Sequence, residues 1–327
     1  MQAVIDAINP SKLLTVTGLI DPIEAGITDA HNHLWIAPVA GAKPGASVLD
    51  SQRAIIEELS DFQEAGGGMI VDCQPGGCGR DGRVLYALAE ASGVKLVACT
   101  GFHLQKYYPA GYWLFETSAQ AAAEHFINEL EQELEETGRP GHPQVRAGFI
   151  KIACGKTLEG SPIQLIEAAV ASSLQTGAAI EVHTEKGSDA EGIFRAMTNL
   201  GLPSDRLVFC HMDKRPDIKL HYQLAQEGVL LEYDTFYRPQ YYPEQNLWPL
   251  LTGMVEAGFE EQLAVATDMA DKAMWSRLGG GPGLTGLLEQ IIPRLLSLGL
   301  EAETVNKLCG ANIATRLARP SERLNLN

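Results

Sequence analysis

The chain has 327 residues, 45% hydrophobic and 20% charged, so it can bury a large core and is too apolar to be disordered. Its 41 acidic against 25 basic residues give a formal net charge of −16, which repels nucleic acid and anionic membrane surfaces. The carboxylates are spread along the sequence; only NELEQELEETG, residues 128–138, is locally dense, and it reads as the solvated face of a helix.

The opening stretch, MQAVIDAINPSKLL, lacks a basic segment followed by an apolar one, so no signal peptide is expected. No run of about eighteen apolar residues is present to span a membrane. From Ala25 onward, short apolar runs alternate with amphipathic ones. The strand candidates are GITDAH, GMIVDC, KLVACT, GFIKIAC, AIEVH, RLVFCH, VLLEYD and LAVATD. They are too uniformly apolar for a half-exposed sheet and read as parallel strands buried on both faces. Between them lie helices: a long one over 118–138, one opened by Ser161 and Pro162 and closed by Gly177, and two more over 188–201 and 216–228. Three connections exceed the usual few residues, 35–50, 105–117 and 235–248, and the Gly-rich run 277–283 makes a fourth flexible element. Eight strand–helix units without a linker predict one (β/α)8 TIM barrel occupying 1–327 as a single domain. An open doubly wound sheet would place a Gly-rich phosphate loop after the first strand, where HNHLW stands instead. The six cysteines lack disulfide spacing, four lie in or beside apolar runs, and a cytoplasmic location fits them. Cys73 and Cys78 form a weaker candidate metal pair in a Gly-rich turn.

Polar residues gather where these strands end. His31 and His33 close the first, Lys151 lies in the fourth, and His183, His211 and Asp268 close the fifth, sixth and eighth. In a barrel these positions converge at the C-terminal mouth. Each alone is as easily a core residue or a cap; six converging together point to a metal centre. Lys151 sits in a strand so apolar that its ammonium must be paired or lose its proton. Nitrogen and oxygen donors without thiolate suit zinc, manganese, cobalt, nickel or iron, and six ligands suit two divalent ions about 3.5–4 Å apart. A lysine with a depressed pKa can serve as a bridge once it adds carbon dioxide and becomes a carbamate. His125, His142 and His221 read as structural. Asp29, a step deeper on the first strand, is expected to orient a ligand.

The motifs DAHNH, FIKIA, EVHTEKG, VFCHMD and VATD resemble the phosphotriesterase-related branch of the amidohydrolase superfamily, and the similarity runs from Gly26 to Leu317. The resemblance implies a buried ion held by His31, His33 and Asp268 and an exposed ion held by His183 and His211. Carboxylated Lys151 and a hydroxide would bridge them, with Asp268 taking the proton as the hydroxide attacks. It also implies a small-molecule lactone or ester substrate and brings the expectation of a homodimer. The sequences HMDKRPD, EYDTFYRPQYYP and GGGPG look closest to sugar lactonases, whereas Phe102 and His103 replace an aromatic Tyr or Trp of the organophosphate and quorum-lactone branches. His103, Arg238 and Lys272 are the expected substrate contacts. For a phosphorylated lactone, Lys106, Lys214, Arg215 and Arg277 are further basic candidates, while Gln240 and Asp271 stand where more positive charge is expected. The expected function is therefore a binuclear metal-dependent lactonase acting on a carbohydrate-type lactone. The alternatives are a phosphotriesterase or carboxylesterase using the same centre, and a non-catalytic ligand-binding barrel.

Overall fold

All eight apolar runs form strands, and each is buried on both faces as its composition requires. The computed structural model describes residues 11–43 and 45–324; most of the segment read as lacking a signal peptide, residues 1–10, lies outside the described residues. The barrel strands are β1 (Ile27–Asn32), β2 (Gly67–Asp72), β3 in two pieces (Lys95–Val97 and Cys99–Gly101), β4 (Phe149–Ala153), β5 (Ile180–His183), β6 (Leu207–Cys210), β7 (Leu230–Tyr233) and β8 (Leu263–Val265). Neighbours pair in parallel from β1 to β3 and from β3 to β8. The ring closes where the Asp268 amide donates to the His31 carbonyl at 3.0 Å and the Thr267 amide to Asp29 Oδ1 at 3.0 Å. The result is the expected (β/α)8 barrel.

Period-two alternation divides the strand residues between two cores. Ile70, Leu96, Ile150, Val182, Phe209 and Leu231 face outward and pack with the helices. Met69, Val71, Phe149, Val208, Leu230 and Ala264 fill the barrel, where each large apolar side chain contributes about 1.5–3 kcal/mol by leaving water. Towards the C-terminal end the inward positions turn polar. Lys151 follows Phe149, Glu181 and His183 follow Ala179, Cys210 follows Val208, Glu232 and Asp234 follow Leu230, and Asp268 follows Ala266. The barrel is thus an apolar floor carrying a polar layer, and the site rests on that floor. Gly101, at the end of β3, has φ +106°, and a Cβ there would lie 1.9 Å from the Lys151 carbonyl. Only glycine lets β3 approach the lysine strand this closely.

The helices include α1 (Gln52–Glu64), α2 (Gly82–Ser92), α3 (Ala119–Glu131), α4 (Ile163–Thr176), α5 (Ala190–Asn199), α6 (Ile218–Gln226) and α7 (Leu247–Glu256). Three expectations need correction. The helix over 118–138 stops at Glu131, and the acidic stretch is not merely a solvated face. Glu129 is buried against Arg80, while the Leu134 amide turns to the Val145 carbonyl. Ser161 does not cap α4; its hydroxyl accepts from the Gly155 amide at 2.9 Å and Pro162 takes the cap position. An antiparallel hairpin, Ser11–Thr15 with Gly18–Ile20, joined by the short strand Arg319–Pro320, supplies Leu13 to the barrel interior; neither piece was among the strand candidates.

Candidate metal centre

The six residues chosen from the strand ends come together. His31 Nε2 lies 3.9 Å and His33 Nε2 3.7 Å from Asp268 Oδ1, so three donors face one point. His183 Nδ1 and His211 Nε2 face each other at 3.0 Å. Lys151 Nζ stands between the layers, 3.4 Å from the His31 ring nitrogens and 2.6 Å from Glu181 Oε1. His211 and Asp268 both adopt left-handed backbone, φ 63° and 47°, a costly conformation that persists where surrounding structure enforces it and that clusters at functional sites.

Partners behind the imidazoles decide which nitrogen each ring presents. His33 Nδ1 donates to Gln74 Oε1 at 2.8 Å, and the Gln74 amide nitrogen is committed to the Cys78 carbonyl, so the amide cannot turn round. His211 Nδ1 donates to Asp234, whose other oxygen is buried without a hydrogen-bond partner, with Lys214 Nζ at 4.0 Å. His31 Nδ1 donates to Glu232 Oε2 at 3.2 Å and lies 3.1 Å from Glu181 Oε1. Each Nε2 is thereby turned towards the mouth, the arrangement that carboxylate–histidine pairs give a metal ligand. Asp29 acts through backbone: it accepts from the Thr267 and His31 amides and from Asn32 Nδ2, tying β1 to the loop that carries Asp268.

Burial holds His33 down at about 3 and keeps His183 and His211 below the usual histidine range, so these rings are neutral and able to coordinate. Burial and the Lys151 charge oppose protonation of His31, but Glu181 and Glu232 outweigh them and lift it to about 10. A cation reaching His31 must therefore displace a proton. Burial acts to raise Asp268, yet Arg238, with Nη2 2.7 Å from Oδ2, holds it below the ordinary carboxylate range. Lys151 departs from expectation. Burial disfavours its charge, but the negative groups around Nζ, with Glu181 in direct contact, keep its pKa above the usual value rather than depressed.

Glu181, Cys210, Glu232 and Asp234 of the layer escaped sequence reasoning, and Cys73 was considered only as a pair with Cys78. Glu181 and Glu232 lie two positions deeper than the strand-end residues, and Cys73 and Cys210 both reach Glu181 Oε1, at 2.9 and 3.3 Å. The signal was available: a glutamate inside AIEVH or VLLEYD is as conspicuous as a lysine inside GFIKIAC. Buried Glu181 Oε2, Glu232 Oε1, Asp234 Oδ1 and His183 Nε2 have no hydrogen-bond partner, and the excess of carboxylates around them suits divalent cations. Of the expected substrate contacts, His103 lies beside the centre, its ring 5.2 Å from that of His183. Arg238 instead grips Asp268, and Lys272 is half exposed at the rim, 3.7 Å from Asp50. Arg215 and Arg277 are committed to Glu191 and Asp61.

A barrel whose C-terminal mouth gathers four histidines, a lysine and an aspartate defines a hydrolase of the metal-dependent type. Residues 11–315 match the Phosphotriesterase family, and the chain belongs to it. A phospho-furanose lactonase from Mycoplasmopsis synoviae is 28% identical, covering 89% of this chain and 87% of its own. The human N-acetyltaurine hydrolase is 26% identical over 91% of this chain and 95% of its own. Among solved structures, a lactonase from Listeria monocytogenes superposes with a TM-score of 0.82 at 25% identity, covering 94% of this chain and 98% of its own.

Proposed function

We propose that this hydrolase opens a carbohydrate-type lactone. His31, His33 and Asp268 would hold one divalent ion, His183 and His211 a second, and Lys151 would join them as a carbamate. The observation that carries the reading is the convergence of these donors, with Nδ1 of His31, His33 and His211 held by partners behind the ring and Nε2 turned towards the other donors. The names of the lactonase relatives support the substrate class. Zinc is the first candidate, with manganese, cobalt, nickel and iron as alternatives. Six free, buried thiols support a reducing, cytoplasmic setting.

The ions, when bound, would supply Lewis-acid polarisation of the carbonyl and an activated water. The chain's residues do the rest. Asp268 presents Oδ1 to the centre while Arg238 holds Oδ2, so the carboxylate is fixed in one orientation to receive a proton from the attacking water. As an ammonium, Lys151 would repel both cations; as a carbamate it offers two oxygens. Its formation requires the lysine to leave the Glu181 ion pair and release protons, which ties assembly of the centre to carbon dioxide and pH. Beside the centre, Ile36, Pro38, Val39 and Val48 help line a cavity of about 220 Å³.

The test is a kcat/KM panel of sugar lactones, simple lactones, N-acetyltaurine and paraoxon-type esters, run on zinc, manganese and cobalt forms and on Lys151→Ala. Lactones should lead, and Lys151→Ala should lose most of that turnover. A panel led by the amide or the phosphotriester would displace the lactone reading.

A further inference from the structure

His103 has a fixed tautomer, and the residue lines two cavities beside the centre. The Leu104 amide donates to His103 Nδ1 at 2.7 Å, so Nδ1 carries a lone pair and the proton of the neutral ring is on Nε2. The backbone is pinned as well: the His103 amide donates to the buried Tyr108 hydroxyl at 2.9 Å, and the Phe102 amide to the Lys151 carbonyl at 2.8 Å. Nε2 has no hydrogen-bond partner among the described residues. The ring is half buried, stacked edge-on to Tyr107 at 4.7 Å, with centroids 5.2 Å from His183 and 6.4 Å from His33. It lines the apolar cavity of loop 35–50 on one side and, on the other, a cavity of about 320 Å³ bordered by Phe115, Gly155, Glu159 and Ser161.

Resting on the lactonase reading above, we propose that His103 is a catalytic residue that donates a hydrogen bond from Nε2 to the leaving oxygen of the ester bond. In hydrolysis the water oxygen bonds to the carbonyl carbon and the carbon–oxygen ring bond breaks. Its electron pair goes to the ring oxygen, which takes the proton the water releases. His103 keeps its own proton: as a neutral ring whose Nδ1 is an acceptor, it would become an imidazolate by giving it up. Its contribution is to stabilise the negative charge that grows on the leaving oxygen. Such a fixed donor strengthens as charge develops, and removing one costs about a hundredfold or more in kcat.

Two substitutions separate the donor from the scaffold. His103→Asn keeps an acceptor for the Leu104 amide and loses the distal donor; His103→Gln places a donor near the position of Nε2. The substrates are a γ-lactone, whose alkoxide leaves poorly, and a 4-nitrophenyl ester, whose phenolate needs little help. The expected result is a fall of about a hundredfold in lactone kcat for His103→Asn, with KM nearly unchanged and less than about tenfold lost on the aryl ester. His103→Gln should recover most of the loss. Equal losses on both substrates, no loss, or no rescue by glutamine would overturn the proposal. Imidazole 15N NMR of the wild-type chain gives a readout free of turnover: Nδ1 should be unprotonated and Nε2 protonated at neutral pH, and the reverse tautomer would overturn it. Failure of the underlying reading is distinct, because the wild-type chain would then hydrolyse no lactone.

Discussion

Replacing Arg80 by methionine should cost about 3–5 kcal/mol of folding stability. The Arg80 side chain is fully buried and holds two carboxylates at once. It pairs with Glu129 through both terminal nitrogens and meets Glu136 Oε1 and Oε2 at 2.6 and 2.7 Å. It also donates to the Cys99 carbonyl at 2.6 Å, inside the strand that leads to His103. Methionine fills much of the same volume but leaves Glu129, 1% exposed, with Thr100, the Glu135 amide and, at 3.8 Å, His125 Nε2 for partners and no guanidinium. The magnitude can be checked from one carboxyl. Burial acts to raise Glu129, but Arg80 prevails and holds it down at about 2 from an ordinary 4.5. That difference is worth about 3 kcal/mol, within the range for breaking a buried pair. Because the carboxyl is more acidic folded than unfolded, its contribution is complete above pH 4.5 and fades as pH falls towards 2. Urea denaturation of wild type and Arg80→Met at pH 7 should show the full gap, and the gap should narrow below pH 4.5. A loss under about 1 kcal/mol at pH 7, or a gap that ignores acid, would contradict a buried Arg80–Glu129 pair that stabilises the fold.

Other consequences can be checked separately. Gln74→Leu removes the acceptor behind His33 and should weaken metal affinity about 10–100-fold in chelator competition, with the fold unchanged by circular dichroism. Asp234→Asn should do the same through His211, since an amide can donate to Nδ1 and turn the ring to the wrong tautomer. Gly101→Ala should give little soluble protein, because its Cβ cannot coexist with the Lys151 carbonyl at 1.9 Å; normal expression and thermal stability would contradict that placement. Metal reconstitution in buffer stripped of carbon dioxide should be slow and recover when bicarbonate is added, as a carbamate on Lys151 requires.

The strands and the six strand-end residues were legible because burial on both faces of a parallel sheet leaves an unbroken apolar run, against which one polar residue stands out. The rule of taking the last polar residue of each strand then hid what lay beneath. Glu181 sits one inward position deeper than His183, and Glu232 and Asp234 lie on a strand that supplies none of the six, although period two places each pair on one face. The Lys151 error has the same origin. Desolvation alone predicts a depressed pKa, and only the fold brings Glu181, thirty residues away in sequence, to 2.6 Å. Arg238 could be placed near the mouth from its loop, but its grip on Asp268 depends on how that loop folds back. The hairpin closing the barrel bottom offers strands of five and three residues, with no chemistry to mark them.

The most direct test of the account is metal content measured together with lactone hydrolysis, on the protein as purified, after chelation and after ions are returned. About two ions per chain are expected, with turnover lost as they are removed and regained with zinc, manganese or cobalt. A metal-free chain that hydrolyses its lactone at the full rate would contradict it.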